Sequence, residues 1–263
     1  MSLKKSLQLF DPESETDRIV QFISEKQDQI GSSAAVVGLS GGIDSSVTAV
    51  LALKSLPHGS VEIVFLPENT TPQRDREDVV ALEEKFGLDV RRINIDGFVS
   101  VFAEKIPEEL SEIARANVKA RVRMTVLYAM ANQFGGIVLG TGNLSEWLLG
   151  YFTKYGDGAA DIAPIVHLYK TELKRLAGYL KVPESIIEKP PSAGLWEGQT
   201  DEAELGASYE QIDRILYCRH SLGLSKSETK KNLDLGDRII ERIFAMVDNS
   251  SHKRENPDSL TRS

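Results

Sequence analysis

The chain has 263 residues, with 39 acidic side chains against 31 basic ones and a formal net charge of −8 at pH 7. That length accommodates one large α/β domain or two small ones and buries a substantial core, while the acidic balance excludes a general nucleic-acid binder, which needs a basic face for phosphates. The lone Cys218 rules out an internal disulfide, and without a signal peptide or an apolar run long enough to cross a bilayer a cytoplasmic protein with no membrane partner is expected.

In chain order, Asp11-Pro12 reads as an N-cap followed by proline at the first helical position, and Ile19, Phe22, Ile23 and Ile30 continue an apolar stripe. A strand is expected over 34–39, a helix over 44–56, a strand over 61–66, a helix over 75–86 and a strand over 90–95. A long helix over 111–134 precedes a short buried strand at 136–140. Lys170 opens a helix carrying Leu173, Leu176, Ala177 and Leu180. The polar stretch 192–208, with few apolar anchors, reads as a mobile loop able to close over a site. A helix over 209–220 follows, then a capping box at Ser225 and Glu228, and a helix with Ile240, Ile243, Phe244 and Val247 on one face.

No Pro/Gly/Ser-rich linker or repeat interrupts this alternation, so residues 1–263 read as a single domain with its core over 12–249 and a flexible tail or flap over 250–263. Strands separated by helices imply a doubly wound, Rossmann-like parallel sheet with helices on both faces. Ligands then collect at the carboxyl ends of the strands.

Two segments fall at those ends. The first, Gly38-Leu39-Ser40-Gly41-Gly42-Ile43-Asp44-Ser45-Ser46, joins a strand to a helix through glycines and hydroxyls. Glycine lets backbone N–H groups approach anion oxygens, the helix start is electropositive, and Asp44 beside phosphate calls for a divalent cation between them. The segment lacks the Gly-Lys-Ser/Thr of a Walker A loop. The second, Thr141-Gly142-Asn143-Leu144-Ser145-Glu146, repeats the logic, with Glu146 as a second candidate magnesium ligand. Taken alone, its bland alternative is a helix cap by Asn143 and Ser145.

The first segment resembles the SGGxDS signature of PP-loop ATP pyrophosphatases. Phe152-Thr153-Lys154-Tyr155-Gly156-Asp157-Gly158-Ala159-Ala160-Asp161 resembles the FTKYGDGxxD segment of ammonia-dependent NAD synthetases, and the likeness extends through 117–124, Lys189-Pro190-Pro191-Ser192-Ala193, 201–206 and His252-Lys253-Arg254 in the same order. The resemblance implies ATP-dependent amidation of nicotinic acid adenine dinucleotide (deamido-NAD) through an acyl-adenylate, with release of AMP and pyrophosphate. It implies ATP contacts from Gly38, Leu39, Ser40, Gly41, Gly42, Ile43, Asp44, Ser45, Thr141, Lys170 and Ser192, a position where some members have threonine. Magnesium would lie on Asp44 and Glu146, and the dinucleotide on Arg121, Lys154, Asp161, His252 and Lys253. Lys170 is expected to offset phosphate charge, Asp157 to receive the ammonium proton, and the chain to form a homodimer. A glutamine amidase domain has no room before Ala34, which makes free ammonia the expected direct donor. Two other classes remain at this point: a tRNA-modifying PP-loop enzyme, disfavoured by the acidic charge and the single cysteine, and a non-catalytic nucleotide-binding module, in which Asp44 and Glu146 would lack a purpose.

Overall fold

In the computed structural model, residues 10–192, 200–257 and 259 are described. Asp11 accepts a hydrogen bond from the Glu13 N–H (3.1 Å) and Pro12 takes the first helical position, so the chain opens on helix α1 (Pro12–Ile30), which Gly31 ends in the left-handed conformation. The β-branched and apolar run that follows forms β1 (Ala34–Leu39). It leads through the glycine loop into α2 (Ile43–Ser55), then β2 (Val61–Phe65), α3 (Gln73–Phe86) and β3 (Val90–Arg92). Helices α4 (Asp96–Lys105) and α5 (Glu112–Phe134) precede β4 (Gly136–Leu139). The four strands are parallel in the order β3-β2-β1-β4, with Val37 of β1 opposite Ile63 of β2 and Leu139 of β4.

The carboxyl half is helical: α6 (Leu144–Leu149), α7 (Lys170–Tyr179), α8 (Glu184–Ile187), α9 (Asp201–Leu205), α10 (Tyr209–Leu216), α11 (Lys226–Asn232) and α12 (Asp237–Asn249). Burial on both faces explains why the central strand β1 and its neighbour β4 are continuously apolar. Ala35, Val37 and Leu39 pack on one face with Ile19 and Ile23 of α1, Val50 and Leu51 of α2, and Leu173 and Leu176 of α7. Val36, Val64 and Val138 pack on the other with Val122 and Ala131 of α5. Gly38 lets α5 approach closely: a Cβ there would stand 3.0 Å from Leu127 Cδ1. A third cluster joins Leu148 and Leu149 of α6 to Ile212, Ile215 and Leu216 of α10 and to Ile240, Ile243 and Phe244 of α12. This cluster packs α6, which follows the carboxyl end of β4, onto α10 and α12.

Several elements depart from the sequence-based expectations. Strand β3 stops at Arg92 rather than running to residue 95, and Ile95 is fully buried at the turn into α4, a helix the sequence pattern did not reveal. The expected helix over 209–220 is α-helical only to Leu216 and continues as a π turn (Tyr217–Ser221). Within the expected loop 192–208, residues 193–199 lie outside the described residues, but 201–205 form α9. Leu205, Ala207 and Tyr209 anchor that stretch in the third cluster, so the polar composition concealed an attached segment. Among the described residues, no helix is long and apolar enough to cross a membrane.

Candidate active site

The loop between β1 and α2 is built from contacts among its own residues. Ser45 Oγ accepts from the Ser40 N–H (3.1 Å), lies 3.0 Å from Ser40 Oγ and donates to the Gly42 carbonyl (3.0 Å). The Gly42 N–H donates to Ser40 Oγ (3.2 Å), and Ser46 Oγ donates to the Gly42 carbonyl (2.7 Å). Gly41 has φ +80°, and a Cβ there would stand 2.6 Å from the Asp75 carbonyl oxygen, so conformation and close packing of α3 both require glycine. Gly42 is the N-cap of α2, and the helix start with its unpaired N–H groups is a ready anion site.

Beside this loop, α2, α6 and α7 bring three ionisable groups together. Lys170 Nζ donates to Asp44 Oδ2 (2.5 Å) and to Glu146 Oε1 (3.0 Å), with the ammonium 5.3 Å from the centre of the Tyr209 ring. Asn143 completes the junction: its amide donates to Asp44 Oδ1 (2.7 Å) while its Oδ1 caps α6 at the Glu146 N–H (3.0 Å). Burial opposes the charge on Lys170, yet Asp44 and Glu146 together hold its ammonium well above the usual lysine range. Glu146 is pushed up to about 8, first by burial and second by the Asp44 carboxylate, against the pull of Lys170. Lys170 is therefore a fixed cation. At neutral pH Glu146 is then largely protonated, so the junction is close to neutral with Lys170 charged, and Glu146 holds a further negative charge in reserve.

That reserve, released when a second cation displaces the Glu146 proton, bears on a metal. Asp44 and Glu146 offer hard oxygens, and among the described residues no cluster of three or more acidic, histidine or cysteine side chains surrounds them. Two carboxylates completed by phosphate oxygens and water suit Mg²⁺, which seldom sits in an all-protein cage. The residues fit the ion.

Thr141 follows β4 and precedes the Asn143 cap, so it lies on the same edge as the loop; Ser192 is the last described residue before 193–199. Four of the five residues expected to hold a dinucleotide are linked. Arg121 donates to the Lys154 carbonyl (3.3 Å), Lys154 Nζ donates to the His252 carbonyl, and Lys253 Nζ donates to the carbonyls of Gly150 (2.6 Å) and Phe152 (2.8 Å). Asp161 has a separate task, accepting the Val138 N–H (2.7 Å) at the end of β4. Asp157 accepts the Thr153 N–H (2.9 Å), and protein packed against its inner side raises its carboxyl pKa against that hydrogen bond. Residues Ser251–Lys253 form a 3₁₀ turn, and Arg254 donates to the carbonyls of Leu148 (2.8 Å) and Val247 (2.8 Å).

Sequence reasoning missed the support around Lys170. Asp213, fully buried on α10, accepts from Ser145 Oγ (2.5 Å) and the Thr171 N–H (2.8 Å), and Ser145 Oγ accepts the Lys170 N–H (3.0 Å). Burial pushes the Asp213 carboxyl up to about 6 against these hydrogen bonds. The only signal in the sequence is an acidic residue amid the apolar stripe Ile212, Ile215, Leu216.

The chain resembles known proteins over nearly its whole length. The family model described as NAD synthase matches residues 15–257. The NH(3)-dependent NAD(+) synthetase of Pyrococcus horikoshii is 44% identical, with 95% of each chain covered. The solved structure of NMN synthetase from Francisella tularensis superimposes with a TM-score of 0.85 at 37% identity, covering 96% of this chain and 100% of that one. The NH3-dependent NAD synthetase from Campylobacter jejuni, solved with a nitrate ion, gives 0.81 at 29%, with 95% and 99% covered. With a glycine–hydroxyl loop and a part-buried Lys170–Asp44–Glu146 junction on the carboxyl edge of its parallel sheet, the chain belongs to the NAD synthase family.

Proposed function

We propose that this protein is an ammonia-dependent ligase that converts the nicotinate carboxylate of deamido-NAD to the carboxamide of NAD, with ATP as co-substrate. The observation that carries this reading is the Lys170 junction, which sets a buried ammonium and two half-buried carboxyl groups beside the hydroxyl-lined loop. A carboxylate is a poor acyl donor, so its oxygen attacks the α phosphate of ATP, pyrophosphate leaves and an acyl-adenylate forms. Ammonia then attacks the carbonyl carbon and AMP departs.

The residues divide this work. Gly38, Leu39, Ser40, Gly41, Gly42, Ile43 and Ser45 bind the phosphates through loop amides and hydroxyls, with Thr141 and Ser192 contributing further ATP contacts. Lys170 stabilises the charge that gathers on the phosphates and cannot serve as a base, because Asp44 and Glu146 keep it protonated. Mg²⁺ held by Asp44 and Glu146 supplies further neutralisation of phosphate charge. Arg121, Lys154, His252 and Lys253 bind the dinucleotide with Asp161, and the raised pKa of Asp157 suits it to take the ammonium proton.

A homodimer is supported by the exposed apolar residues Phe98, Val101 and Phe102 on α4 and Ile113 at the start of α5, the helix that also carries Arg121. The setting is cytoplasmic and free of nucleic acid. A second reading has one observation in its favour: the Francisella tularensis relative is described as an NMN synthetase, so the mononucleotide carboxylate is the competing acceptor. Incubation with ATP, Mg²⁺, ammonium and either acceptor, with separation of the products, tests both. Deamido-NAD is expected to give NAD, AMP and pyrophosphate, with oxygen-18 from its carboxylate appearing in AMP. ADP as product, or label in inorganic phosphate, overturns the mechanism; a kcat/KM favouring the mononucleotide assigns the acceptor instead.

A further inference from the structure

Lys189 lies outside the contacts described so far, yet its ammonium reaches the loop. Its Nζ donates to the Gly41 carbonyl (2.6 Å), Asp75 Oδ1 (2.9 Å) and Asp78 Oδ2 (2.6 Å), so all three of its protons are used. Asp78 is buried and also accepts from Ser185 Oγ (2.9 Å), which fixes it between α3 and α8. Lys189 thus joins α3, the segment after α8 and one carbonyl of the loop between β1 and α2.

The choice of carbonyl matters. The Gly41 C=O and the Gly42 N–H belong to one planar peptide and point in opposite directions. With the oxygen drawn outward to Lys189, the N–H faces inward, where it meets Ser40 Oγ (3.2 Å). A flipped peptide would aim the carbonyl oxygen at an incoming phosphate and withdraw an N–H donor. Glycine makes such a flip inexpensive, because both orientations are sterically open to it. Gly41 is indispensable for its conformation and for the approach of Asp75, and a flexible peptide is the consequence.

The geometry points to Lys189 as a positioning residue that locks the Gly41–Gly42 peptide with its N–H toward the phosphates. This rests on the reading that the loop takes the phosphates of ATP. The lysine touches no reacting atom. It acts on ATP affinity and leaves the pyridine-nucleotide end of the site alone.

Replacing Lys189 strands the buried Asp78 carboxylate, so the test uses two full-length variants: Lys189→Met and Lys189→Met with Asp78→Asn. The second removes the stranded charge while keeping an acceptor for Ser185. Calorimetric binding of the α,β-methylene analogue of ATP with Mg²⁺ reads the loop without turnover, and initial rates give KM for ATP and for deamido-NAD. Both variants are expected to bind the analogue about tenfold more weakly and to raise KM for ATP in proportion, with KM for deamido-NAD unchanged within about twofold. The double variant regains thermal stability without regaining affinity. Recovery of affinity together with stability reduces Lys189 to a structural ion pair and overturns the inference, as do equal rises in both KM values or a wild-type protein that does not bind the analogue. A wild type that binds the analogue but forms no AMP instead overturns the proposed reaction, and the affinities of the variants still decide the role of Lys189.

Discussion

The loop between β1 and α2 and the junction around Lys170 meet at Asp44 but are held in opposite ways. Among themselves the loop's residues bond two to five apart in the chain, from Gly42 with Ser40 to Ser45 with Ser40, and one bond, from Lys189 to the Gly41 carbonyl, spans 148 residues. At the junction, Lys170 meets Asp44 across 126 residues and Glu146 across 24, while Ser145 meets Asp213 across 68. The loop is mainly a local conformation that glycine and serine can write, with Lys189 fixing one peptide from outside. The junction exists only once α2, α6, α7 and α10 have packed. Damage to the loop should therefore lower activity with modest loss of stability, whereas damage to the junction should lower both.

The largest test of that contrast is Lys170→Met. Loss of the buried ammonium leaves two half-buried carboxyl groups facing each other without a cation, and kcat/KM for ATP is expected to fall about 1000-fold with a stability loss of ~3–5 kcal/mol. Initial rates and urea unfolding measure the two effects; near-normal stability would show that the junction is not held by its charges. Gly41→Ala adds a Cβ against the Asp75 carbonyl oxygen in a left-handed conformation, and ATP affinity is expected to fall about 100-fold while stability drops by ~1–3 kcal/mol. An affinity change smaller than the stability change would erase the distinction from the loop's side.

Asp213→Asn sharpens the contrast through pH. The Asp213 carboxyl is raised to about 6 in the folded protein from 3.8, so the folded state holds its proton more tightly. Its contribution to stability is complete below 3.8 and is lost as pH rises through about 6. The asparagine variant lacks that term. Unfolding free energies measured near both ends of this window should fall less with rising pH in the variant, by on the order of 3 kcal/mol. Parallel pH profiles would place the titration elsewhere. The smallest effect is expected from Ser40→Ala, where Ser45 still supports the loop: ATP affinity falls by about threefold to tenfold, and the thermal midpoint barely moves.

The same contrast explains what the sequence could disclose. Strands β1 and β4 were legible because both faces are buried and their residues are continuously apolar, β2 because Ile63, Val64 and Phe65 make an apolar run after Glu62, and Asp44 stood out within its glycine–serine context. Helix α4 was not, because Phe98, Val101 and Phe102 face solvent and give no stripe directed at the core. Helix α9 was hidden by acidic residues in its first turn, which favour a helix start but read as loop composition. For Lys170 the sequence suggested phosphate as the answer to its place at a helix start. The structure supplies Asp44 and Glu146 first, and no spacing rule connects residues so far apart.

The bond from Arg254 to Leu148 carries a consequence for synthesis. Arg254 also donates to Val247, while Ser250 packs so tightly on Gly150 that a Cβ there would lie 2.2 Å from Ser250 Cβ. The helix that presents Glu146 is therefore fastened at its far end by residues translated long after it. The sheet and its glycine loop are thus complete in the chain before the clasp that steadies the acidic arm of the junction has been made.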